Sequence, residues 1–224
     1  MARRPAILIG VAAVGVVALG AQTATAATDI CVAANNDVRV KKVTPTSTTD
    51  CAASGTGSVA IVNGEDSFAQ ATGGNHNRAR VRGDDSTAIV ESGDNNTATI
   101  TGDSSFALVG DGDNITATIT GDGSFANAAG GDDNTATVTG EGSTAVAGPG
   151  NNNTATVTGD GSIASTQFGD NNTATVTGDG SFAGAGFGDN NTATVIGDGS
   201  EATATAPTGC TAEAIGSVVT DSCP

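Results

Sequence analysis

The stretch that decides the fold is Asn172-Thr-Ala-Thr-Val-Thr-Gly-Asp-Gly-Ser181-Phe-Ala-Gly-Ala-Gly-Phe-Gly-Asp-Asn190, one copy of a 19-residue unit. Eight copies follow one another without a gap over residues 55–206. The period never slips, because one threonine position recurs every 19 residues, at Thr97, Thr116, Thr135, Thr154, Thr173 and Thr192. An invariant period indicates that every copy has the same geometry and stacks on the next along one axis.

Each unit divides into two halves, which begin Gly-x-x-(Asn or Ser)-x-Ala except where Ile115 takes the Asn position. The glycines indicate turns with positive φ, and the segments between them alternate with a period of two and are rich in Thr, Val and Ile, which is typical of strands. In one copy Ala174 and Val176 share the inner face of the strand, whereas Thr173, Thr175 and Thr177 share the outer face.

The pattern therefore predicts an all-β protein, a β-solenoid with two strands per 19-residue coil. It would contain about eight coils, with two parallel sheets around an Ala/Val core. A β-sandwich is the structural alternative, but a sandwich does not require an invariant period.

The N-terminus has the features of a secretory signal peptide over residues 1–26. Arg3 and Arg4 precede an apolar run, and a small-residue cleavage site follows at residues 24–26. We expect the protein to be secreted or held at the cell surface. No later segment is predicted to span a membrane once the signal peptide is removed.

The repeats are flanked by two segments that we interpret as caps, residues 27–54 and 207–224. All four cysteines lie in these segments, and an even number in an exported chain indicates disulfides. Local pairing of Cys31 with Cys51, and of Cys210 with Cys223, is favoured among the three possible connectivities.

The composition is strongly acidic, with 8 Lys and Arg against 24 Asp and Glu and a net charge of −16. Loss of Arg3 and Arg4 with the signal peptide would leave 6 basic residues and a net charge of −18. No Lys or Arg occurs after Arg82. Nucleic acid and anionic lipid need clustered positive charge, so this composition argues against both as partners.

The half-unit Gly169-Asp-Asn-Asn172-Thr-Ala174-Thr-Val176 resembles the curlin repeat of bacterial curli, in which Asn-bearing and Ser-bearing strands alternate. The resemblance covers the eight repeats and implies two-stranded coils with inward Asn and Ser ladders in an exported bacterial protein. The chain departs from the curlin pattern because the glutamines that end curlin strands are replaced by Gly or Asp. The glutamine ladders linked with fibre formation are therefore absent.

The outer threonines form the candidate binding face of the predicted solenoid. In a regular stack they make a grid with spacings of about 4.8 Å and about 6.8 Å, similar to the ice-binding faces of some antifreeze solenoids. The competing interpretation is that threonine is simply a good strand former on a solvated face. The fifteen residues are Thr97, Thr99, Thr101, Thr116, Thr118, Thr120, Thr135, Thr137, Thr139, Thr154, Thr156, Thr158, Thr173, Thr175 and Thr177.

A carboxylate follows the second glycine of every copy, and its stacking would place like charges about 5 Å apart, with a repulsion of about 0.8 kcal/mol per neighbour in water. Calcium would relieve the repulsion, but aspartate also caps turns by bonding its own backbone, and we favour turn chemistry over a metal site. The eight residues are Glu65, Asp84, Asp103, Asp122, Glu141, Asp160, Asp179 and Asp198.

The position after the serine of the second half differs between copies. Large apolar residues follow the conserved serine position in five copies, and they point either outward, as a self-association surface, or towards a corner. They are Phe68, Phe106, Phe125, Ile163 and Phe182.

The second copy replaces its threonines with Arg78, Arg80 and Arg82 beside His76. These arginines would pair with neighbouring acids or dock the N-terminal cap. A specific anion site is the less favoured interpretation.

Nothing in the repeats points to catalysis, because the chain has one His, no Tyr or Trp, and no nucleophile–base pair that interrupts the pattern. We predict no enzyme activity, no catalytic residue, no cofactor and no metal site. The favoured function is a structural or surface-interaction protein of the bacterial envelope, with an unidentified surface or protein as its partner. The alternatives are a protein that binds ice or polysaccharide surfaces through its threonines, and a self-associating, curli-like fibre subunit.

Overall fold

Twenty-one β-strands make up the ordered secondary structure of the described chain. The structure, a computed structural model, describes residues 28–34, 37–41, 50–218 and 220–223, with side chains from residue 50 onward. The predicted signal peptide lies outside the described residues. The strands are β1 (Thr28–Ala34), β2 (Asp37–Lys41), β3 (Asp50–Ala53), β4 (Ser58–Asn63), β5 (Phe68–Ala71), β6 (Arg78–Arg82), β7 (Thr87–Val90), β8 (Thr97–Thr101), β9 (Phe106–Gly110), β10 (Thr116–Thr120), β11 (Phe125–Ala129), β12 (Thr135–Thr139), β13 (Thr144–Ala147), β14 (Thr154–Thr158), β15 (Ile163–Gln167), β16 (Thr173–Thr177), β17 (Phe182–Gly186), β18 (Thr192–Ile196), β19 (Glu201–Ala204), β20 (Thr211–Ile215) and β21 (Thr220–Cys223).

Successive strands alternate between two sheets. Sheet A has the order β2-β1-β4-β6-β8-β10-β12-β14-β16-β18-β20, and sheet B has the order β21-β19-β17-β15-β13-β11-β9-β7-β5-β3. Pairing within the repeats is parallel and joins equivalent residues of neighbouring turns, as between Ala136 and Ala155. Among the described strands, the antiparallel pairs are those of β1 with β2 and with β4. The predicted β-solenoid with two strands per turn is confirmed.

The solenoid has about nine turns, whereas the sequence pattern predicted about eight. The additional turn consists of β20 and β21, which continue the two sheets beyond β18 and β19. The sequence hides this turn because Pro207 stands at the glycine position and Cys210 at the asparagine position. A disulfide between Cys210 and Cys223 joins the start of the turn to its end, as predicted.

The opposite end of the solenoid begins with β3, which pairs with β5. Cys51 of β3 is buried and disulfide-bonded. The side chain of Cys31 lies outside the described side chains, so the Cys31–Cys51 pairing stays a prediction, as does the capping role of residues 27–54.

The core between the two sheets consists of small apolar side chains. In one turn Ala136 and Val138 of sheet A face Ala145 and Ala147 of sheet B, and all four are fully buried. Their strand neighbours point outward, because successive side chains of a strand lie on opposite faces. The alternation in the sequence thus assigned inside and outside correctly.

A buried asparagine ladder runs along one corner of the solenoid. The Oδ1 atom of Asn153 accepts a hydrogen bond of 2.9 Å from the backbone N–H of Asn172 in the next turn, and its Nδ2 donates to the carbonyl oxygen of Gly169 at 2.8 Å. The ladder satisfies backbone groups that the strands leave unpaired at the corner. Its asparagines are Asn77, Asn96, Asn134, Asn153, Asn172 and Asn191, and Ile115 interrupts it.

A buried serine ladder performs the same task at the other corner. The Oγ atom of Ser143 accepts a hydrogen bond from the N–H of Ser162 and lies 2.7 Å from the carbonyl oxygen of Gly159, to which it donates. The N–H to Oγ bond links every successive pair from Ser67 to Ser200. Each of these serines also donates its hydroxyl to a glycine carbonyl. The inward Asn and Ser ladders implied by the curlin resemblance are therefore present.

Glycine is required at the corners for a reason that the sequence alone does not show. Gly121 has a φ of 136°, and a Cβ at this position would collide with the carbonyl oxygen of Gly140 in the next turn. The restriction therefore comes from stacking as well as from the local backbone conformation.

We predict that Asn153→Ala lowers the free energy of unfolding by about 2–4 kcal/mol, because the substitution leaves a buried N–H and a buried carbonyl without partners. Asn151→Ala is the matched control: Asn151 lies in the same corner but is exposed, and its Oδ1 accepts a single bond from the N–H of Asp132. We expect the control to lose less than about 1 kcal/mol. Urea denaturation of both variants measures the difference, and equal losses would contradict a structural role for the buried ladder.

Candidate functional site

The fifteen predicted threonines lie together on the outer face of sheet A, and we call this set the threonine face. They occupy all outward positions of β8, β10, β12, β14 and β16. The strands are in register, so Thr99 pairs with Thr118, Thr118 with Thr137, and so on through the set. The result is a regular array of three columns and five rows of hydroxyl and methyl groups.

The two first columns of the threonine face are half-buried, and the third is exposed. In β12, Thr135 and Thr137 are half-buried and Thr139 is exposed. Half-buried, β-branched side chains have restricted χ1 angles, and in β10, β12, β14 and β16 the half-buried threonines have equivalent threonines on both neighbouring strands. The array is therefore preorganised, and a surface that binds it immobilises few additional rotamers.

The acidic residues of the second corner form an exposed ladder. The sequence suggested that each carboxylate would bond to the backbone of its own turn, whereas in the structure the bonded carboxylates accept from the preceding turn. The Oδ1 atom of Asp160 accepts a hydrogen bond of 2.8 Å from the N–H of Glu141, which lies one turn earlier. Six such bonds of 2.7–2.9 Å are present. The six aspartates of this ladder thus each satisfy an exposed amide of the preceding turn, whereas among the described residues no such bond is formed by the carboxylates of Glu65 and Glu141.

The first corner carries a second exposed ladder that the sequence analysis missed. Seven successive bonds of 2.7–2.9 Å run from the N–H of one turn to the Oδ1 of an Asp or Asn in the next. The signal in the sequence is the Asp or Asn that follows the first glycine of seven turns. The accepting residues are Asn75, Asp94, Asp113, Asp132, Asn151, Asp170 and Asp189.

These ladders are the places where oxygen ligands are most concentrated. Within the part of the chain that the structure describes, no three His, Cys, Asp or Glu side chains come close enough together to hold a metal ion. One oxygen of each bonded carboxylate is already directed at a backbone amide. The mixture of Asn and Asp in the first corner shows that this bond needs an acceptor oxygen and not a charge.

The large apolar residues after the serine ladder point outward from sheet B, which resolves the two orientations left open by the sequence. Phe106 and Phe125 are half-buried and their rings stack, with centroids 5.7 Å apart and planes 5° apart. Ile163 and Phe182 are more exposed, at 42% and 36%. The outer face of sheet B is therefore apolar along part of its length.

A pair of phenylalanines at the first corner was not recognised from the sequence. Phe168 and Phe187 have positive φ values of 47° and 59°, are 59% and 63% exposed, and lie with ring centroids 5.9 Å apart. Beside them, a shallow groove of about 140 Å³ is lined by Phe182, Gly184 and Phe187, among others. The only available sequence signal was the occurrence of Phe before the glycine in two successive turns.

The arginines of the second copy extend the outer face of sheet A by one row. Arg78, Arg80 and Arg82 pair with Thr97, Thr99 and Thr101 of the neighbouring strand. In sheet A, β4 lies between β6 and β1, and docking of the arginines against the N-terminal segment stays a prediction because part of that segment lies outside the described residues. The arginine positions therefore border β4 on one side and the threonine face on the other.

Comparison with known proteins gives no family assignment: no family model and no curated protein matched the sequence. Curlin identity therefore stays a prediction based on the repeat. No helix in the described residues is long and apolar enough to cross a bilayer.

We predict that Asp160→Asn leaves the free energy of unfolding unchanged or raises it by up to about 1 kcal/mol, because the amide oxygen accepts the same bond and one like charge is removed. Asp160→Ala should lower it by about 1 kcal/mol through loss of the acceptor. Urea denaturation, with and without calcium, makes the comparison. Stabilisation of the wild type by calcium that disappears in Asp160→Asn would overturn the turn interpretation and establish a metal role.

Proposed function

We propose that this chain is an extracytoplasmic, non-enzymatic protein that binds an ordered, hydroxyl-rich surface through its threonine face. The observation that carries the proposal is the in-register array of fifteen threonines over five consecutive strands. Ice and crystalline polysaccharide both present periodic oxygens, and a periodic array can match either over many weak contacts.

The dimensions of the array support a repetitive surface as the ligand. Neighbouring strands are about 4.8 Å apart and alternate residues of one strand about 6.8 Å apart, so the array covers about 19 Å by 14 Å. The threonine face has no concave site among the described residues, because it is a single layer of side chains on a continuous sheet. A small soluble molecule would bury little of its surface on such a face, whereas an extended surface contacts all three columns.

Two observations support an extracytoplasmic location and a role without catalysis. The Cys210–Cys223 disulfide is of the kind that persists in oxidising compartments, in agreement with the predicted signal peptide. Within the repeats, the groups that could act as acids or bases are distributed as periodic ladders and are not gathered in one pocket.

The decisive experiment replaces the threonine at the centre of the array. Thr137→Lys places a long charged side chain in the middle column, and we expect adsorption to ice, cellulose or chitin to fall at least about tenfold. Thr137→Val should keep the fold and the array's shape. Thr144→Lys is the control, because Thr144 is half-buried on the outer face of sheet B.

Ice-growth inhibition and pull-down on crystalline cellulose and chitin measure the binding, and circular dichroism confirms the fold of each variant. Absence of adsorption by the wild type to all three surfaces would reject the proposal. Equal adsorption by Thr137→Lys and the wild type would show that the threonines act only as strand-forming residues on a solvated face.

A second candidate, a fibre subunit, is favoured by the strand edges at the end of the stack. β20 and β21 are the terminal strands of the two sheets. The turn before them carries Asn191, whose Oδ1 already accepts the N–H of Cys210 and whose Nδ2 donates to Ala206. If the last turn were absent, Asn191 and Ser200 would be exposed at the end of the stack. They could then form the same hydrogen bonds with a turn of a second copy of the chain.

We predict that removal of residues 207–224 shortens the lag of assembly, because it exposes β18 and β19 as repeat-like edges. The oxidised full-length chain should stay monomeric over the same period. Light scattering and thioflavin fluorescence follow the reaction. A truncated protein that remains monomeric would remove the support for the fibre candidate.

A further inference from the structure

The arginine row, Arg78, Arg80 and Arg82, is the clearest local exception to the repeat. These residues occupy the three outward positions of β6, whereas the equivalent positions of β8, β10, β12, β14 and β16 carry threonine. Arg78 and Arg82 are exposed and Arg80 is half-buried. Three guanidinium groups thus lie side by side on one edge of the threonine face.

No carboxylate among the described residues forms an ion pair with the arginine row. The residues that pair with the arginines are uncharged on both sides. On β4 they are Val59, Ile61 and Asn63, and on β8 they are Thr97, Thr99 and Thr101. The Nε atom of Arg80 and the Oδ1 atom of Asn63 are both shielded from solvent and have no hydrogen-bond partner. The predicted pairing with neighbouring acids is therefore not formed with any carboxylate of the described side chains.

The electrostatic setting makes the row unusual. The chain has a net charge of −16 and no basic residue after Arg82. Its carboxylates lie mainly at the two corners, where many are bound to backbone amides, and not on the outer face of β6 or β8. A row of unpaired positive charge at this place has no compensating partner within the described chain.

The geometry of the row indicates the shape of its ligand. Alternate residues of a strand are about 6.8 Å apart, so the three groups span about 14 Å in a line. A guanidinium binds carboxylate, sulfate or phosphate through two parallel hydrogen bonds. A linear array therefore fits a chain that carries several anionic groups better than it fits a single ion.

We propose that the arginine row binds an acidic polysaccharide that lies along β6. Its anionic groups contact the three arginines, and its hydroxyl groups lie over Thr97 and Thr99 of the next strand. Duplex nucleic acid and anionic membranes fit less well, because both are wider than the row and cover the acidic corners of several turns, whereas a short oligosaccharide ends within the row. Binding at the arginine row does not require that the threonine face bind a solid surface.

The test uses alginate oligosaccharides as the anionic probe and dextran of similar length as the neutral control. We expect the triple variant R78Q/R80Q/R82Q to bind alginate at least about tenfold more weakly than the wild type in calorimetry, because three charged hydrogen-bonding groups are lost. The variant R78K/R80K/R82K should be intermediate, because lysine keeps the charge but not the two-pronged geometry. Thr87→Gln, on the outer face of sheet B in the same turn, should bind like the wild type.

Circular dichroism and thermal melting verify that each variant is folded before binding is measured. Wild-type protein that does not bind alginate, or a folded R78Q/R80Q/R82Q variant that binds it as tightly as the wild type, would overturn the proposal. Equal or tighter binding of duplex DNA or anionic vesicles would replace the polysaccharide with another polyanion.

The two proposals fail separately. Loss of alginate binding in R78Q/R80Q/R82Q with adsorption to ice or cellulose retained supports both sites. Alginate binding that survives in Thr137→Lys, in a protein that never adsorbs to any solid surface, supports the arginine row and rejects the function proposed for the threonine face.

Discussion

Each turn of this solenoid is bonded to the next at its corners as well as along its strands. The Oδ1 of a buried asparagine and the Oγ of a buried serine accept the N–H groups of the following turn, as Asn153 does for Asn172 and Ser143 does for Ser162. Without these acceptors the corner amides would be buried and unpaired. The ladders explain why the period is constant, since an inserted residue would move a corner out of reach of its acceptor.

Because the corners and the Ala/Val core maintain the stack, the outward positions are free to differ between turns. Sheet A carries threonine over five strands and arginine on one, whereas sheet B carries aromatic and aliphatic residues such as Phe106 and Phe125. The scaffold therefore separates two chemically distinct outer faces. The threonine face is uniform, which favours a periodic ligand, and the other features are local.

The charge distribution follows the same division. Acidic residues lie at the exposed corners, where carboxylates bond to the amides of the preceding turn, as Asp160 does with Glu141. The threonine face between the corners is uncharged, and the arginine row borders it towards the N-terminal end. A large net negative charge is thus compatible with a face that contacts an uncharged surface and with one positive row beside it.

The period, the two strands per turn and the inward position of Ala and Val could be predicted from the residues alone, because strand alternation and exact repetition are local properties. The Cys210–Cys223 pair and the position of the threonines on one face could be predicted as well. Four features became visible only in the folded chain: the ninth turn, the acceptors of the exposed corner amides, the outward Phe168 and Phe187, and the absence of acidic partners beside Arg80 among the described residues. These features depend on groups 16–19 residues apart that stacking brings into contact. A sequence pattern does not specify which atoms then meet.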